Sequence, residues 1–237
     1  MAELKWDEIG KRFYETGVRH GVLYIRKPDG DYDTGVAWNG LISISKSPDG
    51  AEANDIYADD IKYLTLRSAE NFKATIEAYT YPDEFIPCEG IVIPVPGVYL
   101  DQQPMRPFAL CFRTILGNDI ENDDYAYKIH ILYNCTSSPS EKAYQTINEN
   151  PEAAAFSWEI SSIPLIVEGF NPTATITIDS SKVNAYDLSI LEAILYGTEL
   201  TDPELLLPDE LADVFRVGFL LDEDDDYILF GGDRIGV

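Results

Sequence analysis

The stretch Gly35–Phe85, GVAWNGLISISKSPDGAEANDIYADDIKYLTLRSAENFKATIEAYTYPDEF, decides the fold. Phe72, Ala74, Ile76 and Ala78 alternate with Lys73, Thr75, Glu77 and Tyr79, and Trp38, Ile42 and Ile44 share one side in the same way. Successive side chains of a strand leave opposite faces, so a period of two marks strands with one buried and one wetter face. Between Ser45 and Ile56 the run is polar and contains Ser47-Pro48-Asp49-Gly50. Proline presets φ and glycine accepts the left-handed region, so this tetrapeptide is a turn signal. The flanking strands therefore form a long hairpin arm near 36–68, with its tip at Ser47–Gly50, beyond a compact body.

Further strands follow on the same rule. Phe108, Leu110 and Phe112 alternate; Tyr125, Tyr127, Ile129, Ile131 and Tyr133 share a face opposite Lys128, His130 and Asn134. Phe156, Trp158 and Ile160 alternate with Ser157, Glu159 and Ser161, and Ala174, Ile176 and Ile178 with three threonines. Many short strands joined by turns read as a mainly β chain, a sandwich or barrel. One flanking helix is marked near 185–196. Asn184 caps it, Gly197 ends it, and Leu188, Leu191, Ile194 and Leu195 form a stripe at helical spacing. A shorter helix starts at Pro208 and buries Leu211, Val214 and Phe215. Residues 216–237 read apolar, acidic, apolar, which suggests a C-terminal extension forming a hairpin or strands added to a neighbour. Residues 1–215 form the β domain.

The chain holds 42 acidic and 17 basic residues, a net charge of −25. Such a field repels phosphate backbones and anionic membranes and argues against a nucleic-acid binder. No apolar run reaches membrane-spanning length, and the N-terminus lacks the apolar segment of a secretory signal. Cys88, Cys111 and Cys135 include no C-x-x-C pair, and an odd count without a signal peptide speaks for a reducing cytosol and against a disulfide framework. Only His20 and His130 could serve as histidine bases, and His130 reads as a half-exposed strand residue. No nucleophile elbow, phosphate loop or zinc signature occurs, so no catalytic residue, cofactor or metal is assigned. Alternating aspartates at Asp29, Asp31 and Asp33 and at Asp222, Asp224 and Asp226 miss the glycine and glutamate of a calcium loop and read as solvated turns.

An ordered set of pieces carries a family likeness. They are Val36-Ala37-Trp38-Asn39-Gly40-Leu41, Pro48-Asp49-Gly50-Ala51-Glu52, Tyr57-Ala58-Asp59, Ile76-Glu77-Ala78 and Tyr81-Pro82-Asp83-Glu84-Phe85. Arg113–Asp119, Phe156-Ser157-Trp158-Glu159 and Pro172-Thr173-Ala174-Thr175 continue it. Over roughly residues 5–215 the chain resembles the major tail tube proteins of bacteriophages with long non-contractile tails. The resemblance implies a non-enzymatic virion protein that forms hexameric rings stacked into a hollow tail through which DNA passes without specific binding. It implies tape-measure, tail-tip initiator and tail terminator proteins as partners, and assembly in the host bacterial cytoplasm. Ser47, Pro48, Asp49, Gly50, Phe219 and Tyr227 are then candidates for contact between subunits, and Asp59 and Glu77 for the channel wall. The rival reading is a monomeric β-sandwich carbohydrate-binding module using some of the 15 tyrosines.

Overall fold

A computed structural model describes residues 4–50, 53–67, 70–139, 146, 153–217, 229–230 and 233–234. The body is mainly β. It begins with β1 (Tyr14–Ile25), β2 (Val36–Trp38) and β3 (Leu41–Lys46), then climbs an arm through β4 (Asp49–Gly50) and β5 (Ala53–Ala58). The chain returns through β6 (Ile61–Arg67) and β7 (Glu70–Asn71) into β8 (Lys73–Ala78). A 3-10 turn over Asp83–Glu89 leads to a ribbon, β9 (Val92–Val95) and β10 (Val98–Leu100). The long strands β11 (Phe108–Asn118) and β12 (Asn122–Ser137) follow, then β13 (Phe156–Ser162) and β14 (Thr175–Asp179). Two helices, α1 (Ala185–Tyr196) and α2 (Pro208–Val217), precede the short strands β15 (Leu229–Phe230) and β16 (Asp233–Arg234).

The main sheet runs β2-β1-β11-β12-β13-β8-β3, with β14 also on β12, all antiparallel. Two bends divide it into wings. At Gly40 (φ 78) the chain leaves β1 and joins β8. At Asn134 (φ 49) strand β12 leaves β14 and joins β13. Asparagine tolerates this left-handed backbone, and here its side chain is fixed as well: Arg26 Nη1 donates to Oδ1 at 2.8 Å, and Nδ2 donates to the Ile163 carbonyl at 3.0 Å.

Between the wings lies an aromatic core. Phe85, carried in by the 3-10 turn, is fully buried and packs on Trp38, Phe108 and Trp158 with ring centroids 4.6, 5.2 and 5.3 Å away. Both indoles keep a hydrogen bond, Trp38 Nε1 to the Thr80 carbonyl at 2.9 Å and Trp158 Nε1 to Glu89 Oε1 at 2.6 Å. The opposite face of β1, β11 and β12 is covered by α1 and α2. There Leu188, Leu191, Leu195, Leu205 and Leu211 pack on Val22, Tyr24, Cys111, Ile129, Ile131 and Tyr133. The α1 boundaries are those its caps dictate: Asn184 accepts from the Tyr186 amide at 2.8 Å, and Gly197 takes φ 74.

Three expectations change. The Tyr125–Tyr133 strand does not have one dry and one wet face: His130 and Asn134 are also buried, because helices cover one side and the second wing covers the other. Phe215–Val217 are helical and not the first strand of a terminal hairpin; the hairpin described there is the tight pair Leu229↔Arg234 and Phe230↔Asp233. The helix wins at 208–217 because its apolar side, with Leu211, Val214 and Phe215, has a leucine-rich surface to pack on. The arm turns at a different place, as described below.

Replacing Trp158 by alanine removes the centre of the aromatic core and should cost about 3–5 kcal/mol, whereas Asn184→Ala should cost about 1 kcal/mol through the lost cap. Denaturant unfolding of the two variants checks both, and equal losses would contradict this division.

Candidate assembly surface

The arm consists of three successive ladders: β3 on β8, β4 on β7 and β5 on β6. Ala58 pairs with Ile61, so the tip is Asp59-Asp60, with φ of 51 and 60. Two left-handed residues in a two-residue loop make the turn whose twist suits a hairpin, and aspartate accepts that backbone. Ser47–Gly50, expected at the tip, instead lies partway up. Ser47 donates its amide to the Lys73 carbonyl at 2.8 Å, and Asp49 and Gly50 pair with Asn71 and Glu70. Asp49 holds Lys73 at 2.6 Å, which together with the Gly50 amide keeps its carboxyl below the usual range. From Lys46 the arm can reach up to about 40 Å, at ~3.3 Å per extended residue.

No described side chain of β5 or β6 is buried. Tyr57, Ile61 and Tyr63 are 68, 63 and 67% exposed, and Ile56, Leu64 and Leu66 are also open. Lys62 and Thr65 tie Asp55 at 2.8 and 2.7 Å, so polar cross-strand bonds shape the ribbon while its apolar side chains stand free. Exposed apolar side chains grouped on one projecting element mark a surface that another molecule covers.

The arm is held to the body at its root. Lys46, the last residue of β3, turns its ammonium into the cleft between the wings, 3.3 Å from His130 Nδ1 and 3.4 Å from Thr175 Oγ1. His130, read from sequence as a half-exposed residue, is only 7% exposed and stacks on Phe112 with centroids 4.9 Å apart. Thr177 Oγ1 lies 3.0 Å from Nδ1; Thr114 Oγ1 and Glu15 Oε1 lie 2.9 and 3.3 Å from Nε2. Thr114 and Lys128 each donate to Glu15 at 2.6 Å. An ammonium can only donate, so Nδ1 carries the lone pair and Nε2 the hydrogen. Burial first, and the Lys46 charge after it, push the His130 pKa down to about 4, with Glu15 opposing the shift.

Glu77 stands on β8, half-buried, accepting from Ser43 Oγ at 2.8 Å. With Lys73, Thr75, Ser157, Glu159 and Ser161 it forms a face that is polar throughout, and none of these side chains is buried. Asp59, at the arm tip, does not share that face. Phe219 and Tyr227 lie outside the described residues, as do Asp222, Asp224 and Asp226. Asp29 accepts from the Asp31 amide at 3.2 Å and Lys27 pairs with Asp33 at 3.6 Å, a solvated turn. Among the described residues no cluster of three or more His, Cys, Asp or Glu could hold a metal ion, and no helix is long and apolar enough to cross a membrane. Cys88, Cys111 and Cys135 are buried, and burial raises all three thiols, the first two to about 12.

No protein-family model matches the chain, and neither does any curated protein. Among solved structures it is similar to the sheath/tube terminator of an extracellular contractile injection system, PVC, in its extended state. That likeness has a TM-score of 0.34 and 9% identity, over 74% of this chain and 99% of the other. It is also similar to a chain of the PVC sheath–tube complex in its extended state, with a TM-score of 0.29 and 9% identity, over 74% and 94%. Superpositions of that depth leave the assembly surface to be argued from this chain's own residues.

Protonating His130 would set an imidazolium N–H against the Lys46 ammonium. The folded pKa lies below the unfolded value of 6.5, so the stabilisation is present above pH 6.5 and is lost as pH falls toward about 4. The loss amounts to about 3 kcal/mol. Unfolding free energies measured from pH 7 to 4 should fall more steeply for the wild type than for His130→Gln; parallel curves would contradict the buried neutral imidazole.

Proposed function

We propose that this chain is a structural subunit of a phage tail tube of the long, non-contractile kind. Copies close into six-membered rings, the rings stack, and the bore passes DNA at infection. The observation that carries this reading is the arm: a projecting ladder with exposed tyrosine, isoleucine and leucine in a chain of net charge −25. A lone soluble chain gains nothing by holding those side chains in water.

Open sheet edges support it. Among the described residues β14 pairs as a strand with β12 alone, and the first half of β1 with β11 alone. Unpaired strand edges invite pairing with another chain, and closing a ring removes them. The ordered likeness along residues 5–215 supplies the particular device. Ser47–Gly50 on the arm, and Phe219 and Tyr227 in the C-terminal extension, are the proposed contacts between subunits. A tape-measure protein, a tail-tip initiator and a terminator are the proposed partners. The subunit is made in the host bacterial cytoplasm and ends in the virion tail.

Charge suits the bore. On the β13–β8–β3 face, with Glu77 on it, serine, threonine and glutamate surround Lys73, whose ammonium is held by Asp49, so the wall offers phosphates little to exchange for counterions and DNA slides. The acidic tip at Asp59 adds to the same field. Chemistry on a bound substrate has no part in this function.

Negative-stain microscopy of the concentrated protein should reveal rings or tubes; a persistent single particle that binds glycans would overturn the proposal in favour of a binding module. In assembled tails, Glu77→Lys should leave tubes intact and slow DNA release, and unchanged release kinetics would remove Glu77 from the channel wall.

A further inference from the structure

A second apolar element projects from the chain. β9 and β10 form a two-stranded ribbon of their own, joined by Pro96-Gly97 with Gly97 at φ 85. Val92, Ile93, Val95, Val98, Tyr99 and Leu100 are each 42–59% exposed. An isolated two-stranded ribbon has no layer to bury its side chains against. Exposed apolar area on this scale is on the order of the largest patch of an ordinary monomer, ~300–600 Å².

Its root is rigid. The Ile91 amide donates to the Ile86 carbonyl at 3.3 Å, Gln103 to Gly90 at 2.8 Å and Arg106 to Pro87 at 3.1 Å. Gly90 has φ 74, and a Cβ there would stand 2.6 Å from the Gln103 carbonyl oxygen, so only glycine lets the two strands of the root meet. The ribbon is thus mounted on the 3-10 turn that carries Phe85 into the core. Partner contacts made by a preorganised element lose less conformational freedom on binding.

Charge identifies the occupant. From Ile91 to Leu100 the sequence IVIPVPGVYL has no aspartate, glutamate, lysine or arginine, although 25% of the chain is charged. A partner of opposite charge would be drawn to the acidic remainder of the surface, where attraction is strong. Two copies of −25 repel each other nearly everywhere, and an uncharged apolar ribbon is where they can touch without setting carboxylate against carboxylate. We propose that the Val92–Leu100 ribbon is a contact between copies of this chain, seated on apolar surface of a second copy. The proposal rests on the assembly reading above and adds a contact element to it. The two edges of the ribbon differ: Pro94 removes a donor from β9, while Val98-Tyr99-Leu100 on β10 keeps every amide. Any strand added to the ribbon therefore joins β10.

The test uses the full chain, wild type against Val95→Lys/Tyr99→Lys, with the milder Val95→Ser/Tyr99→Ser as a second variant should the first fail to fold. Sedimentation velocity over a concentration series reads assembly, and circular dichroism with thermal melting reads the fold. The expected result is a folded variant whose half-assembly concentration rises about tenfold or more. Raising salt from ~0.05 M to ~1 M shortens the screening length and should promote wild-type assembly, while the lysine variant stays dispersed. A folded variant that assembles like the wild type overturns the ribbon contact and leaves the tube reading standing. Closed wild-type dimers that the variant abolishes support the ribbon and overturn the tube. A wild type that stays single at every concentration overturns both.

Discussion

The inner segments of β1, β11 and β12 are buried on both faces, and the rest of the molecule follows from that constraint. A doubly covered sheet must be apolar on each side, so Val22–Ile25, Phe108–Phe112 and Ile129–Tyr133 supply both the aromatic core and the seat for the helices. The second wing is covered once only and can afford serine, threonine and glutamate on its outer face. Bulky apolar residues beyond these layers have no interior left to enter. Some stand singly on connecting segments, as Trp6, Ile166, Phe170 and Leu200 do, while the arm and the Val92–Leu100 ribbon each group several on one two-stranded element.

Much of this was legible in the sequence where the signal is local. Asn184 and Gly197 bracket α1 because a cap acts within one turn, and alternation located β8, β11, β13 and β14 because each has a face buried by its immediate partners. The arm was legible as an arm and misread at its end. Pro48-Asp49-Gly50 satisfies every local rule for a turn, yet Asp49 and Gly50 pair across the ladder with Asn71 and Glu70. The true turn at Asp59-Asp60 has no glycine or proline to announce it. His130 was misjudged because its cover comes from Lys46, Glu15 and Thr177, residues remote in sequence. The ribbon did leave a trace, a charge-free run around Pro96-Gly97, but it shows no sustained alternation because both of its faces are apolar.

The Lys46–His130 cluster and the arm belong to one mechanical unit. The wings splay where β12 and the β2–β3 segment change partners, and polar side chains, in place of further apolar ones, fill the gap. Their hydrogen bonds are directional, so they fix how β3 leaves the body in a way that packing alone does not. An element that has to meet a neighbour at a distance of many residues gains accuracy from a stiff root, and the same holds for the ribbon on its glycine-locked base.

The three sealed thiols have a practical consequence. With Cys88, Cys111 and Cys135 enclosed and their ionisation suppressed, the native protein offers maleimide dyes little to react with. A single cysteine introduced at the arm tip would accept a fluorophore selectively, with no native cysteine removed, and could report by energy transfer when one molecule meets the next.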